Sequence, residues 1–160
     1  MKPKAQTTDH QRKVLKTYTQ MMRATEAVTT RMHRHLLDHG LTGSQFGVLE
    51  ALYHLGSLCQ RDIGLKILKT SGNLTTVIDN LEKKELVIRE KDLADRRRIS
   101  VALTPAGFDL IDTVFPTHAE IAEQVFAVMD PGELLALGSL LKKVGQANAG
   151  PAATAGGRNP

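Results

Sequence analysis

Apolar residues along this chain recur mostly at the spacing of helices, with one short region of strand-like alternation. The clearest helix lies at residues 72–84, where apolar positions fall at i, i+3, i+4 and i+7 and form one stripe. The stripe consists of Leu74, Val77, Ile78 and Leu81. The opposite side carries small polar residues, so this helix can lie close against another surface.

A two-stranded ribbon is predicted directly after this helix. Its first strand begins near residue 87, and apolar residues alternate along the return strand at Ile99, Val101 and Leu103. The turn between the strands, residues 91–98, ends in three consecutive arginines. A helix followed by a basic hairpin is the layout of a winged helix-turn-helix, which places one element in the major groove of DNA and the other on neighbouring phosphates or the minor groove.

A long helix precedes this region, from about Asp9 to His39. Its apolar positions are spaced alternately by four and three residues, the seam of helices that pack along each other. The seam consists of Val14, Tyr18, Met21, Thr25, Val28 and Met32. So broad an apolar face cannot be buried within one small domain, and Gly40 is predicted to end the helix.

Shorter helices complete the pattern. Thr42 and Gln45 form a capping box for a second helix that ends at Gly56, and a third helix is predicted at residues 60–68. The third helix and the helix at 72–84 together form the helix-turn-helix.

Two more helices follow the ribbon. Thr104 caps the first of them, and Pro116 should kink it because proline removes a backbone hydrogen bond. Asp130 and Glu133 begin the last helix as a capping box.

The predicted fold class is therefore mainly α with a small β-hairpin wing: a winged helix-turn-helix with a helical dimerisation region, in the order α-α-α-α-β-β-α-α. Residues 9–145 are expected to form a single domain. Residues 41–103 are its DNA-binding part, and residues 9–40 plus 104–145 are its dimerisation part. Pairing two copies through the end helices would bury their apolar faces and present two winged helices roughly 34 Å apart.

Composition restricts the class of protein further. The 160 residues are 41% apolar and 24% charged, as in soluble globular proteins. No run approaches the ~20 apolar residues of a membrane span, and the N-terminus lacks the apolar core of a secretion signal. One cysteine, Cys59, excludes an internal disulfide. We therefore expect a cytoplasmic protein without a membrane partner, with disordered ends at 1–8 and 146–160.

Charge and polar residues together indicate DNA as the partner. The net charge is +4, and the positive excess counted from the sequence lies in residues 1–40 and 61–98. A hairpin turn rarely gathers three guanidinium groups without an anionic partner, so Arg96, Arg97 and Arg98 are predicted to contact DNA. The helix at 72–84 and the turn before it are predicted to contact bases or phosphates through Thr70, Gly72, Asn73, Thr75, Thr76 and Lys83.

Two residues of that helix have more specific expected roles. The amide of Asn73 is the best candidate to read adenine. Asp79 lies on the same polar face, but its carboxylate cannot favour a phosphate. We therefore expect Asp79 to pair with an arginine within the protein.

Single features are also compatible with other functions. Cys59 precedes the third helix, so it is a candidate redox switch, with a small capping residue as the alternative. His35 and His39 have a metal-like spacing, but two ligands do not make a site. A winged helix can also serve protein contacts, and salt-dependent duplex binding would separate the two uses. No catalytic motif is present, so we expect no enzymatic activity, no cofactor and no metal site.

Several short motifs, in order and spacing, are similar to those of a known family. They are Leu41-Thr42-x-x-Gln45-Phe46-x-Val48-Leu49, Gln60-Arg61-Asp62-Ile63, Ser71-Gly72-Asn73-Leu74-Thr75, Leu81-Glu82-Lys83-Lys84, Asp92-x-x-Asp95-Arg96-Arg97 and Leu103-Thr104-Pro105-x-Gly107. Over residues 10–145 the chain resembles the MarR (multiple antibiotic resistance regulator) family of dimeric bacterial transcription factors. The resemblance implies a repressor on a palindromic operator, released by small phenolic or oxidant molecules. A weaker similarity, including Phe115-Pro116-x-His118-Ala119-Glu120, points to the quinone- and hydroquinone-responsive branch.

The resemblance also implies roles for individual residues. Ser71, Gly72, Asn73, Thr75 and Thr76 would face the major groove, and Asp95 would orient Arg97 toward the minor groove. One position departs from the family, which usually has glycine where this chain has Glu85. The left-handed conformation costs glutamate roughly 1 kcal/mol, so the angle of the wing depends on how the helix ends there.

A small aromatic effector is expected in a cleft between the dimerisation helices and the DNA-reading part, lined by the first, second and fifth helices. His35, His39, Phe46 and Tyr53 are the predicted walls of this cleft. An effector that favours one spacing of the two half-sites would change operator affinity by its differential binding.

Overall fold

A computed structural model describes residues 7–67, 71–91 and 99–148. The helices are α1 (Asp9–His33), a 3-10 helix (Arg34–His39), α2 (Gly43–Leu55), α3 (Gln60–Ile67), α4 (Ser71–Lys83), α5 (Pro105–Phe126) and α6 (Pro131–Asn148). The strands are β1 (Leu58–Cys59), β2 (Val87–Lys91) and β3 (Ile99–Leu103). The predicted fold class is confirmed: the chain is mainly helical with a small antiparallel sheet.

Side-chain caps set the starts of several helices, as the sequence predicts. Thr42 Oγ1 accepts the backbone N–H of Gln45, and the Gln45 side chain accepts the N–H of Thr42. Asp130 and Glu133 make the same reciprocal pair at α6. These bonds satisfy backbone donors that the first turn of a helix leaves without partners.

The first helix differs from the prediction at its C-terminal end. The α-helix stops at His33, and the chain continues to His39 as a 3-10 helix rather than as one α-helix. Gly40 then ends this segment at a φ of +65°, in the left-handed conformation that glycine adopts without a Cβ clash.

Both predicted disordered ends include residues that belong to helices: the N-terminal segment 1–8 ends too late, and the C-terminal segment 146–160 begins too early. Thr8 caps α1 through a capping box with Gln11, so residue 8 belongs to the helix start. At the other end α6 continues through Gly145 to Asn148, whose side chain donates to the Val144 carbonyl. One glycine weakens a helix by only about 1 kcal/mol and does not stop it. The rest of both predicted segments lies outside the described residues.

The sheet has one strand more than predicted. Its order is β1-β3-β2, with Leu58 opposite Val101 and Arg89 opposite Val101 on the other side. β1 has two residues and no alternation of its own, so periodicity could not reveal it. β1 forms the edge of the sheet next to β3, directly before α3 in the chain.

The apolar core lies inside the winged helix and at its junction with α5. Its fully buried members come from the 3-10 helix, the loop after it, α2, α3, α4, the sheet and α5: Leu36, Leu41, Val48, Leu49, Ile63, Leu74, Ile78, Leu81, Val87, Val101, Ile111 and Val114. In contrast, α1 and α6, both fully described, contain no buried residue. Their apolar faces are exposed within a single chain.

The fifth helix is one continuous element that includes Pro116. The first turn of α5 packs closely against the ribbon. A Cβ at Gly107 would therefore collide with the Leu86 carbonyl oxygen. Among the described residues, no single helix is long and apolar enough to cross a membrane, and only α5 and α6 together, bent by 101°, meet that criterion of length and composition.

Candidate nucleic-acid interface

Helix α4 turns its apolar stripe inward and its polar face outward. Leu74, Ile78 and Leu81 are at most 1% exposed, as the i, i+3, i+4, i+7 spacing predicts. The residues exposed on the other side are Asn73, Thr75, Thr76, Asn80 and Lys83. The helix therefore exposes short amide and hydroxyl side chains, while its opposite face is packed into the apolar core.

Part of the predicted site lies outside the described residues. Ser71 and Gly72 form the first turn of α4, and of their side chains nothing further is described. Thr70 and the hairpin turn at 92–98, with Asp95, Arg96, Arg97 and Arg98, lie outside the described ranges. The two strands that carry that turn are placed, and they pair in register from Val87–Leu103 to Lys91–Ile99.

Helix α3 is tied to α4 through a side-chain hydrogen bond. Gln60 Nε2 donates to Thr75 Oγ1 over 2.6 Å. The Thr75 hydroxyl is therefore held by the preceding helix, and its oxygen is oriented before any partner arrives. The helix-turn-helix is fixed by this bond as well as by its apolar core.

Arg89 of β2 joins the wing to α4. Its guanidinium donates to Asp79 Oδ1 over 2.6 Å and also pairs with Glu82. The Arg89 backbone N–H donates to Glu82 as well, over 3.2 Å. The expectation that Asp79 pairs with an arginine is confirmed. Partial burial acts to lower the pKa of Arg89, but the hydrogen bonds that its guanidinium donates to Asp79 and Glu82 outweigh this effect and raise the pKa.

The wing begins at a strained residue. Glu85 has a φ of +58°, so it occupies the left-handed position where related chains are expected to have glycine. Thr104 stabilises this turn, because its hydroxyl donates to the Glu85 carbonyl over 2.6 Å and its backbone N–H donates to the Leu86 carbonyl. The chain therefore keeps the turn and tolerates the strain.

The C-terminal end of α4 is also connected to the helices that precede the winged helix. Lys84 Nζ donates to the Gly40 carbonyl over 2.7 Å. Gly40 is the left-handed residue that ends the 3-10 helix. A displacement of that helix would therefore act directly on α4.

The four predicted effector residues fall into separate surroundings. His35 and Phe46 both contact His118, with ring centroids 5.2 and 4.2 Å from that of His118. Tyr53 lies instead near Phe108 and Phe115 and donates its hydroxyl to Asp112 over 2.6 Å. His39 is exposed.

The imidazoles of His35 and His118 are short of hydrogen-bond partners. Both nitrogens of His35 and Nδ1 of His118 are buried, and none has a partner of normal geometry among the described residues. Burial, followed by the nearby His35 and His33, lowers the pKa of His118 to about 4. Burial also lowers the pKa of His35. Both rings are therefore neutral near pH 7.

Two residues of these sites were not predicted from the sequence. Arg89 shares the inward face of β2 with buried Val87, and a charged residue at such a position needs a carboxylate partner. His118 follows the apolar spacing of α5, which placed it on the inner side of that helix. Both signals were present in the pattern.

Cys59 and the histidines give little support to a redox or metal site. Cys59 lies in β1, directly before α3, and its thiol donates to Asp62 Oδ2 over 3.1 Å. Across the described ranges no group of three or more His, Cys, Asp or Glu side chains is arranged to hold a metal ion.

Comparison with known proteins gives a consistent result. The MarR family model matches residues 41–99, from the residue before the Thr42 cap of α2 to the first residue of β3. The chain is 38% identical over 133 residues to the HTH-type transcriptional regulator MhqR of Bacillus subtilis, an alignment that covers 83% of this chain and 92% of that protein.

Solved structures share the fold. BpsR of Bordetella bronchiseptica, whose DNA binding is regulated by 6-hydroxynicotinic acid, superposes with a TM-score of 0.72 at 29% identity, over 81% of this chain and 98% of that one. Sco3205, a regulator from Streptomyces coelicolor solved in complex with DNA, superposes with a TM-score of 0.79 over 96% and 97% of the two chains. At 22% identity this second likeness concerns the fold alone.

Proposed function

Because this chain belongs to the MarR family of DNA-binding transcriptional regulators, we propose that it is a homodimeric repressor that binds a palindromic operator and is released by a small aromatic effector. The observation that carries the proposal is the exposed polar face of α4 beside the paired strands of the wing. A slim polar helix on a solid apolar back fits the major groove of DNA.

The proposed DNA contacts divide by chemistry. Asn73 reads a base edge, with adenine as its best match, while Thr75, Thr76 and Lys83 contact bases or phosphates. Ser71 and Gly72, at the start of α4, face the major groove together with Asn73, and Thr70, in the turn before α4, contacts the DNA beside them. In the hairpin turn, Asp95 orients Arg97 toward the minor groove, and Arg96 and Arg98 contact phosphates.

The homodimer is proposed because α1 and α6 need a partner surface. Val14, Leu15 and Tyr18 of α1 are each more than half exposed in a single chain, and Leu135, Leu140 and Val144 of α6 are too. Large apolar faces on two long helices are more than an isolated chain usually exposes to water. A second copy, related by a two-fold axis, covers both faces and places two α4 helices on one side of the DNA.

The effector is proposed to bind where the dimerisation helices meet the winged helix. His35, Phe46 and His118 supply an aromatic wall of tilted rings, in which both nitrogens of His35 and Nδ1 of His118 are buried without a hydrogen-bond partner among the described residues, and Tyr53 with Phe115 supplies a second wall. His39 lies at the rim. A phenol or hydroquinone has the ring and the hydroxyl group that such walls recognise. Binding shifts the spacing of the two α4 helices through the link from Gly40 to Lys84.

The repressor needs no catalytic step, and we propose the cytoplasm as its place of action, where operator DNA is available. No enzymatic activity is proposed.

The test is direct. The purified protein is incubated with fragmented genomic DNA, the retained fragments are sequenced, and the recovered site is measured by fluorescence anisotropy between 50 and 200 mM salt. A palindrome bound with an affinity that falls about 10³-fold or more over this range supports the proposal. Retention without any shared sequence, or an affinity that salt does not change, contradicts it. Light scattering on the same sample reports whether the protein is a dimer.

A further inference from the structure

Two carboxylates lie on the side of α4 that faces the wing. The side chains of Asp79 and Glu82 are 46% and 39% exposed, so both remain accessible from outside although they pair with Arg89. Arg89 itself is 25% exposed and comes from β2, not from α4. One guanidinium thus serves two carboxylates from a neighbouring element.

Asp79 is within the row of residues proposed to face DNA. It lies four residues after Thr75, three after Thr76 and four before Lys83, and residues at these spacings are neighbours on a helix surface. A carboxylate in this row is directed toward the same partner as the hydroxyls and the lysine. Phosphates would repel it wherever α4 approaches the backbone.

The Arg89 guanidinium is placed to cancel this repulsion. Its planar fork engages Asp79 through one terminal nitrogen and Glu82 through the other, which keeps the positive charge between the two negative ones. Partial burial of the guanidinium reduces its screening by solvent. Without it, α4 would carry two uncompensated negative charges next to its proposed DNA-reading face.

We propose that Arg89 is a positioning residue for DNA binding, which neutralises Asp79 and Glu82 so that α4 can approach the phosphate backbone. The proposal rests on the proposed DNA-binding function. It assigns a role to an arginine of the strand itself, distinct from the arginines of the hairpin turn.

The experiment compares charge variants on the operator fragment recovered from genomic DNA. Arg89→Gln should weaken duplex binding about tenfold at 50 mM salt, and the loss should shrink toward 200 mM because salt screens the repulsion. Arg89→Lys keeps the charge and should lose less than threefold. Lys142→Gln, which removes one exposed charge of α6 outside the two basic regions, is the matched control and should bind like wild type.

A second background separates neutralisation from other roles. The double variant Asp79→Asn with Glu82→Gln should bind as tightly as wild type or more tightly, and adding Arg89→Gln to it should cause no further loss. If the double variant loses as much as Arg89→Gln, the ion pairs serve only to hold the wing, and the proposal is overturned. If Arg89→Gln still weakens binding in the double variant, Arg89 contacts DNA itself, which also overturns it.

Thermal unfolding and light scattering are measured for every variant, so that a loss of fold is recognised. Should Arg89→Gln unfold, the comparison of Arg89→Lys, the double variant and the triple variant still decides the question. Wild-type binding in the same assay keeps the two hypotheses apart: if wild type does not bind duplex DNA, the proposed function fails, whereas normal wild-type binding with unaffected variants rejects only the role of Arg89.

Discussion

The rings of His35 and His118 lie 5.2 Å apart between centroids, tilted by 41° to each other, at the point where the 3-10 helix and α5 join the winged helix. The pair connects the 3-10 helix to α5, and Phe46 of α2 also contacts the His118 ring. The folded protein can bury these two imidazoles only while both are neutral. A positive charge on either ring would be poorly solvated and would face the second imidazole.

The protein should therefore lose stability in mild acid. The folded-state pKa of His118 is about 4, below the ordinary value of 6.5. The unfolded chain thus binds a proton first, and the stabilisation present above pH 6.5 is lost as the pH falls toward 4. After discounting for partial exposure of the ring we expect a loss of roughly 2 kcal/mol, measured by urea unfolding at several pH values.

The matched variants isolate the histidine from the carboxylates that also titrate in acid. His118→Phe should flatten the pH dependence between 6.5 and 4.5, whereas His10→Gln, at an exposed position of α1 that does not act on the pair, should leave it as in wild type. An unchanged slope in His118→Phe would show that other groups cause the loss.

Gly107→Ala should destabilise the protein severely. A Cβ at this position collides with the backbone carbonyl of Leu86, which cannot rotate away as a side chain could. We expect a loss of about 2–4 kcal/mol in chemical unfolding. Gly145→Ala is the control, because a Cβ there meets no atom within 4 Å and alanine favours the helix. Equal stability of the two variants would contradict the close approach.

Glu85→Gly should make the protein more stable, unlike most changes to glycine. The residue has a φ of +58°, and glycine adopts this conformation without the Cβ penalty. Removing the strain stabilises the folded protein, and the added flexibility of the unfolded chain offsets part of this effect. We therefore expect the free energy of unfolding to rise by up to about 1 kcal/mol. Glu90→Gly, in the extended strand β2, should destabilise instead. The midpoints of thermal unfolding of both variants check the sign.

Arg97→Ala should weaken duplex binding by about 1–3 kcal/mol and leave dimerisation intact, because the proposed contact of Arg97 is to the minor groove and not to another subunit. Anisotropy titrations report the affinity, and light scattering reports the assembly. If this variant binds the duplex with wild-type affinity, Arg97 in the hairpin turn does not contact the DNA.

The spacing of apolar residues was sufficient to predict most of the helices and strands and the orientation of α4. The spacing of Leu74, Ile78 and Leu81 fixed which side of that helix is buried, and the Thr42 and Asp130 capping boxes gave helix starts that the structure confirms. The pairing of Asp79 with an arginine also followed from the sequence, because a carboxylate on such a face needs a cation.

Long-range placement could not be read in the same way. β1 exists because Leu58 and Cys59 pair with β3, which is 41 or more residues away, and two residues carry no period. The switch to a 3-10 helix after His33 has no marker in the sequence pattern. His35 contacts His118 of α5, whereas Tyr53 contacts Phe108 and Phe115 of the same helix. Which of these contacts forms depends on where α5 crosses α2, and the spacing of residues along the chain does not show that crossing.

Helices α1 and α6 bury no residue within a single chain, and this has a thermodynamic consequence. A second copy that covers them, as proposed above, contributes to the free energy of unfolding through mass action, so the melting temperature should rise with protein concentration. Dilution alone, at constant temperature, pH and salt, should loosen the molecule. The number of copies in a cell would then set both how many operators are occupied and how much of the protein is folded.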